Sequence, residues 1–370
     1  MAVEIWPRLA QDELKRAVEA NEKRELDWLI DALHETLTDL KHGLEHCYSL
    51  LAPIDPGSTL AVSTPRNEVV KGYVTRVGTR IVKGTIHVRM RTIAPQTLTI
   101  DPDHPIHLAP LTSLHTLLTQ AIDLLGITLS YSYPASHPPP RSTTGPSKPP
   151  PGTTTSSAQF LAAQLRLLSQ SLTEASSLLK GPPLTDSDPA WTSRSIAPSH
   201  FLPPPTHNNH RHPSPLAHSG NGVPPLSFHL GIQDSCLVLW LRSLEPADAP
   251  VNFGTKLALA IGTTRRLEHD EAEKTFGFCC NHTAPASDDA ARAPPPLTRH
   301  ASFPAGDVPL SGRRPVDVFV REKVRIETAD PSLLSLSSKL AALGRTLAAA
   351  RRNLAAVMGE DEDREQLEDA

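Results

Sequence analysis

A chain of 370 residues is long enough for one or two ordinary domains, and its net charge of −4 gives no global pull toward nucleic acid or an anionic membrane. Its 37 prolines are about twice the usual share and cluster, so the globular part is well short of the full length. Aromatic content is only 4%, which leaves Leu, Val, Ala and Ile to build the core.

The four cysteines, Cys47, Cys236, Cys279 and Cys280, form no CxxC pair and no disulfide-type framework. The start, MAVEIWPRLAQDE, is acidic early and lacks a long apolar stretch, so no signal peptide is expected. The longest apolar run, Cys236 to Leu241, is far below the roughly 18 residues of a membrane span. The expectation is a soluble protein of a reducing compartment.

In chain order, Gln11 to Arg24 is charge-rich and helix-compatible, an exposed lead into the first strong element. From Glu25 to Leu51 the apolar positions are Leu26, Ile30, Leu33, Leu37, Leu40, Leu44, Cys47 and Leu51. Their steps alternate between 4 and 3, the heptad pattern that lines one seam of a helix. Between them Asp27, Asp31, His34, Glu35, Asp39, Lys41 and Glu45 can stay in water. Pro53 and Pro56-Gly57 stop the helix.

From Ser58 the period changes to two. Strands are expected over Thr59–Ser63, over Val69–Val77 with a break at Gly72, and over Thr79–Ile93. In the last, Ile86, Val88 and Met90 alternate with His87, Arg89 and Arg91, as in a sheet with one buried and one wet face. Leu111, Leu114, Leu118, Ala121 and Leu125 restore the helical step, and Leu161, Leu165, Leu168, Leu172, Ala175 and Leu179 carry it again before Gly181-Pro182-Pro183. Period two then resumes from Leu226 to Ile232, followed by an apolar strand over Ser235–Arg242. Shorter candidates follow at Leu257–Ile261 and Phe276–Cys280, and a last strand runs from Val316 to about Ile326. Asp330-Pro331 is a helix-start signature. The final seam holds Leu333, Leu336, Leu340, Leu343, Leu347, Ala350, Leu354 and Val357, and Gly359 closes it.

These elements predict an α+β protein. An antiparallel helical bundle draws on residues 10–52, 109–130, 158–180 and 330–358, and a separate antiparallel β-domain on 58–100, 225–281 and 316–327. Pro-rich stretches at 133–157, 182–224 and 283–315 read as disordered linkers, and 360–370, with seven acids and one Arg, as a solvated tail within the segment 359–370. Four seams in one chain can satisfy one another by burying leucines, so the seams are assigned to the core. The outer acids Asp27, Asp31, Glu35 and Glu45 are the candidate partner-facing residues.

No catalytic grouping stands out. There is no GxGxxG, no GxxxxGK[ST], no GxSxG elbow and no paired-carboxylate signature. Cys279-Cys280-Asn281-His282 lacks a second ligand pair at zinc spacing and reads as a strand end. His207, His210 and His212 lie in Pro-rich sequence and read as loop composition; His34, His42 and His46 read as helix surface. Arg76, Arg80, Lys83, Arg89 and Arg91 form a basic run assigned to the wet face of a sheet. No catalytic, cofactor-binding or metal residue is therefore assigned, and no cofactor is expected.

The order of elements, with Glu25, Leu26, Trp28, Leu29, His34 and Leu37 in the first helix and Val70-Lys71-Gly72 in the second strand, resembles the Rogdi family, whose fungal members are the second subunit of the RAVE complex. The resemblance covers roughly 24–130, 158–180, 224–262 and 316–358. It implies an elongated, non-enzymatic protein with a helical bundle and a β-domain. The implied partners are a large WD-repeat RAVE scaffold, a Skp-type adaptor and peripheral-sector subunits of the V-ATPase, with a role in rejoining the sectors of that pump. The implied location is cytoplasmic, with peripheral association at vacuolar or endosomal membranes. A coiled-coil adaptor that dimerises in vesicle trafficking is the alternative, and a hydrolase using Cys279 or Cys280 a third.

Overall fold

The structure, a computed structural model, describes residues 10–51, 54–131, 153–182, 191–203, 224–248, 269–278 and 315–359. The fold is α+β. Among the described residues five α-helices, α1 (Gln11–Leu51), α2 (Ala109–Tyr131), α3 (Thr153–Lys180), the one-turn α4 (Trp191–Arg194) and α5 (Pro331–Met358), accompany two antiparallel sheets.

The first sheet runs β1 (Ser58–Ser63), β2 (Val70–Val77), β3 (Arg80–Val88), β4 (Gln96–Thr99), with the two-residue β5 (Ile106–His107) also pairing β3. The second has the order β6 (Leu226–Gln233), β7 (Cys236–Pro246), β9 (Val316–Ala329), β8 (Thr275–Phe278).

Each long helix packs mainly on two others, α1 on α2 and α5, and α3 on α2 and α5, with a smaller contact between α1 and α3. Gly43 of α1 lies against Leu343 of α5, where an added Cβ would come within 2.4 Å of a leucine methyl, and His46 meets Lys339. The pairing advances on α1 as it recedes on α5, so these two helices run antiparallel. Carried along both at equal rise, it sets the end of α5 level with the turn holding Asp27 and Trp28. The preceding part of α1, up to Glu25, is exposed throughout and overhangs its neighbours.

Leucines from all four long helices join residues of both sheets in one apolar cluster. The second, smaller cluster is Trp191, Leu244, Phe276, Phe278, Val318 and Val320. Local chemistry fixes several junctions. Asp330 caps α5 by accepting from the Ser332 N–H at 3.0 Å, and Gly359 ends that helix at φ 69°. The β6–β7 turn places Asp234 and Ser235 at positive φ, as a tight hairpin of the right twist requires. Its two N–H groups donate to Lys180 and Leu179 carbonyls, satisfying the open end of α3.

Four expectations need correction. The strand after Gly78 ends at Val88 rather than Ile93, and the chain turns into β4. Gly72 does not break β2: a Cβ there would meet the Thr85 carbonyl oxygen at 2.2 Å, so the glycine lets the two strands close up. The stretch 182–224 contains ordered structure, because Trp191 and Phe201 bury aromatic area and residue 201 bridges Ile100. Arg76 is not on a wet face, as described below. The strand at Leu257–Ile261, the cysteines Cys279 and Cys280, His207, His210, His212 and the acidic tail lie outside the described residues.

Candidate interaction surface

The seam of α1 is spent inside the molecule. Leu33, Leu37, Leu40, Leu44, Cys47 and Leu51 are buried, joined by Leu29, while Leu26 and Ile30 are half-buried where the neighbouring helices end. On α5, Leu336, Leu340, Leu347 and Leu354 are buried, and Leu343 is half-buried against Gly43.

A buried ion pair fixes where the C-terminal end of α1 sits. Arg76 and Asp330, both with fully buried side chains, meet at 2.6 Å from Nε to Oδ2. Arg76 Nη1 also donates to the carbonyls of Leu51, at 3.2 Å, and Gly78, at 2.5 Å, and Nη2 to Ser332 Oγ at 2.5 Å. One guanidinium thus holds together the end of α1, the β2–β3 turn and the cap of α5. Burial opposes ionisation of Asp330, but the hydrogen bonds from Arg76 and Ser332 and the Arg76 charge outweigh it and hold the carboxyl below its ordinary value. In β2 Arg76 shares the phase of Val70 and Val74, both buried. That period-two phase was the available signal for its position; Arg80, Lys83, Arg89 and Arg91 of the same basic run are exposed.

A second polar knot joins Arg242 of β7 to Glu271. Its Nε and Nη2 donate to the two carboxylate oxygens at 2.7 and 2.9 Å, and Lys323 Nζ reaches the same carboxylate at 2.8 Å. Burial raises the Glu271 carboxyl, and the bonds from Arg242 and Lys323 bring it below its ordinary value. Nothing in the heptad or strand pattern pointed to this pair.

The outer face of α1 differs from the seam. Asp27, Asp31, Glu35 and Glu45 are all exposed, and Asp39 extends the first three into a row at steps of four, the spacing of one ridge of a helix. Asp27, Asp31, Glu35 and Asp39 make no side-chain ion pair or hydrogen bond among the described residues, whereas Glu45 sits 3.3 Å from His42 Nδ1. Like charges four apart weaken a helix by about 0.2–0.5 kcal/mol per pair, so the row contributes nothing to the fold. Beside it Trp28 leaves 69% of its surface in water. Trp28 thus stands as an exposed indole beside a row of unpaired carboxylates.

Among the described residues no cluster of His, Cys, Asp and Glu could hold a metal ion, and no helix is long and apolar enough to cross a membrane. Burial pushes the Cys47 thiol up to about 11, with Lys339 opposing the rise, so this thiol is not a poised nucleophile. A family model described as Rogdi leucine zipper containing protein matches residues 25–355. Comparison with curated proteins gives no match.

Proposed function

The chain belongs to the Rogdi leucine zipper family, and on that premise we propose that it is a non-enzymatic, cofactor-free subunit of a RAVE-type complex. In this role it promotes assembly of the peripheral and membrane sectors of the V-ATPase and so supports acidification of vacuoles or endosomes. The four long helices act as one antiparallel bundle, and the sheets form the β part beside it. The WD-repeat scaffold, with the Skp-type adaptor and the peripheral-sector subunits, docks on the outside. The chain reaches membranes only through these partners.

One observation carries the reading beyond family membership. The leucine seam is consumed by in-chain contacts, while the unpaired row Asp27, Asp31, Glu35 and Asp39 and the exposed Trp28 stand free on α1. A partner surface with basic side chains around an apolar notch would complement it. The test is affinity purification of the full chain from its own cells. The expected result is recovery of a WD-repeat scaffold and peripheral-sector subunits, lost in the pair Asp31→Lys with Glu35→Lys. Recovery of neither class by the unaltered chain overturns the proposal.

The α1 overhang favours a second reading, a dimerising tether. Leu14 and Val18 are exposed on it and have no partner within the described fold. A dimer joined there would separate on Leu14→Asp with the fold intact.

A further inference from the structure

The first sheet turns an open, positively charged face to solvent. Val70, Val74, Ile86, Val88 and Leu98 point inward and are buried, so the alternate positions point out. These include Lys71 and Tyr73 of β2, Lys83 and His87 of β3, and Arg89 just after it, all five exposed. No Asp or Glu occurs in β1 to β5, in a chain that holds 40 of them. Lys71, Lys83 and Arg89 make no side-chain ion pair or hydrogen bond among the described residues. The cations Arg242, Lys323 and Arg325 of the second sheet, by contrast, are paired with carboxylates.

Tyr73 sits in the middle of this face. Its neighbours across the strands are Ala61 and Thr85, too small to cover the ring, and 47% of its surface stays in water. Lys71 is two residues along the same strand, opposite His87, and Lys83 is diagonal to Tyr73. Diagonal neighbours lie about 7–8 Å apart, so both amines stand around the ring. Along β3 the outward row from Lys83 to Arg89 covers about 20 Å. A single small anion meets one of these cations at a time. An extended peptide repeats its side chains about every 7 Å on one face, so it can set successive carboxylates against the row and an aliphatic side chain on the ring.

A segment of that make-up exists in this chain. Residues 360–370, EDEDREQLEDA, hold seven acids, one Arg and one Leu. They follow α5, which starts beside the Arg76–Asp330 pair at the first sheet and rises about 42 Å over its 28 residues. Eleven residues stretch to at most about 40 Å, so the segment falls short of laying its acids on the sheet of its own chain.

We propose that the face around Tyr73 binds the acidic segment 360–370 of a second copy of this chain, with its carboxylates on Lys71, Lys83 and Arg89 and Leu367 on the Tyr73 ring. The contact is independent of the α1 surface and of any ATPase.

The test uses the full chain and a labelled peptide of residues 360–370, with a control peptide whose acids are replaced by Asn and Gln, read by fluorescence anisotropy at low salt. Saturable binding of the acidic peptide is expected, with none for the control. Lys71→Glu combined with Lys83→Glu weakens binding about tenfold, the scale of two surface ion pairs. Tyr73→Ser weakens it as well, which a long-range charge effect alone does not do. Arg345→Gln, at an exposed cation of α5, leaves it unchanged. In sedimentation at low salt the full chain gains mass with concentration, and the double reversal removes that gain while Leu14→Asp does not. Equal binding of the two peptides, no effect of the sheet variants, or a constant mass at all concentrations overturns the proposal. Displacement of the peptide by inorganic phosphate or a single-stranded oligonucleotide at equal concentration of charge also overturns it, in favour of a general anion site. No scaffold or pump subunit takes part, so failure here leaves the α1 reading standing.

Discussion

Arg76 sits at 0% exposure with four acceptors around its guanidinium, and its charge is balanced by a residue 254 positions away in sequence. Removing one member of such a pair strands the other charge in the interior. Arg76→Met is therefore expected to destabilise the chain by about 3–5 kcal/mol in denaturant unfolding. Arg76→Met combined with Asp330→Asn recovers most of that loss, since asparagine still caps α5. The pH dependence has a definite sign. The folded-state carboxyl of Asp330 lies below its unfolded value, so its contribution is present at neutral pH. It is lost as pH falls below about 4 and through the folded value. Unfolding followed against pH should show a shallower acid loss in Asp330→Asn than in the unaltered chain. Cys47 offers a check on the core: buried, with its thiol near 11, it should resist maleimide at neutral pH until denaturant is added, as read by mass spectrometry of its peptide.

At the scale of the element, α1 has two faces with opposite duties. The buried face must match α2 and α5 in shape, and it does so through leucines and the small Gly43. The exposed face is under no such demand, so its row of like charges is tolerated at a small cost. Neutralising Asp31 and Glu35 together, as Asn and Gln, removes three like-charge pairs and should leave the thermal midpoint unchanged or raised, with a gain of at most about 1.5 kcal/mol. Partner capture by the same variant should fall. A drop in both would mean that the row belongs to the fold, which would remove the argument for an interaction surface. The heptad steps reported the first face clearly, because burial against helices recurs every three or four residues. They missed Leu29 and placed Leu26 and Ile30 too deep, since they carry no information about where a neighbouring helix stops. Strand lengths were less legible: Gly72 reads as a breaker in isolation, yet it is what two strands need to approach closely.

At the scale of the whole molecule, the question is whether the leucine seams join helices of one chain or of two. Leu37 is fully buried within the chain, so Leu37→Asp should give an unfolded or aggregated species by circular dichroism. An intermolecular zipper would instead release a folded monomer, distinguishable by solution mass. The apolar cluster that runs from the helices into both sheets makes the first outcome the expected one. What the sequence determined alone was the period of each element and its punctuation: heptad stripes, alternating strands, the Asp330-Pro331 start and the Gly359 stop. Those are local effects, set by backbone geometry within a few residues. Tertiary structure alone decided which stripes meet, that Arg76 pairs with Asp330, and that Arg242 pairs with Glu271. Such contacts depend on where distant segments are brought together, and a charged side chain reads the same in sequence whether its partner is water or a carboxylate in the core.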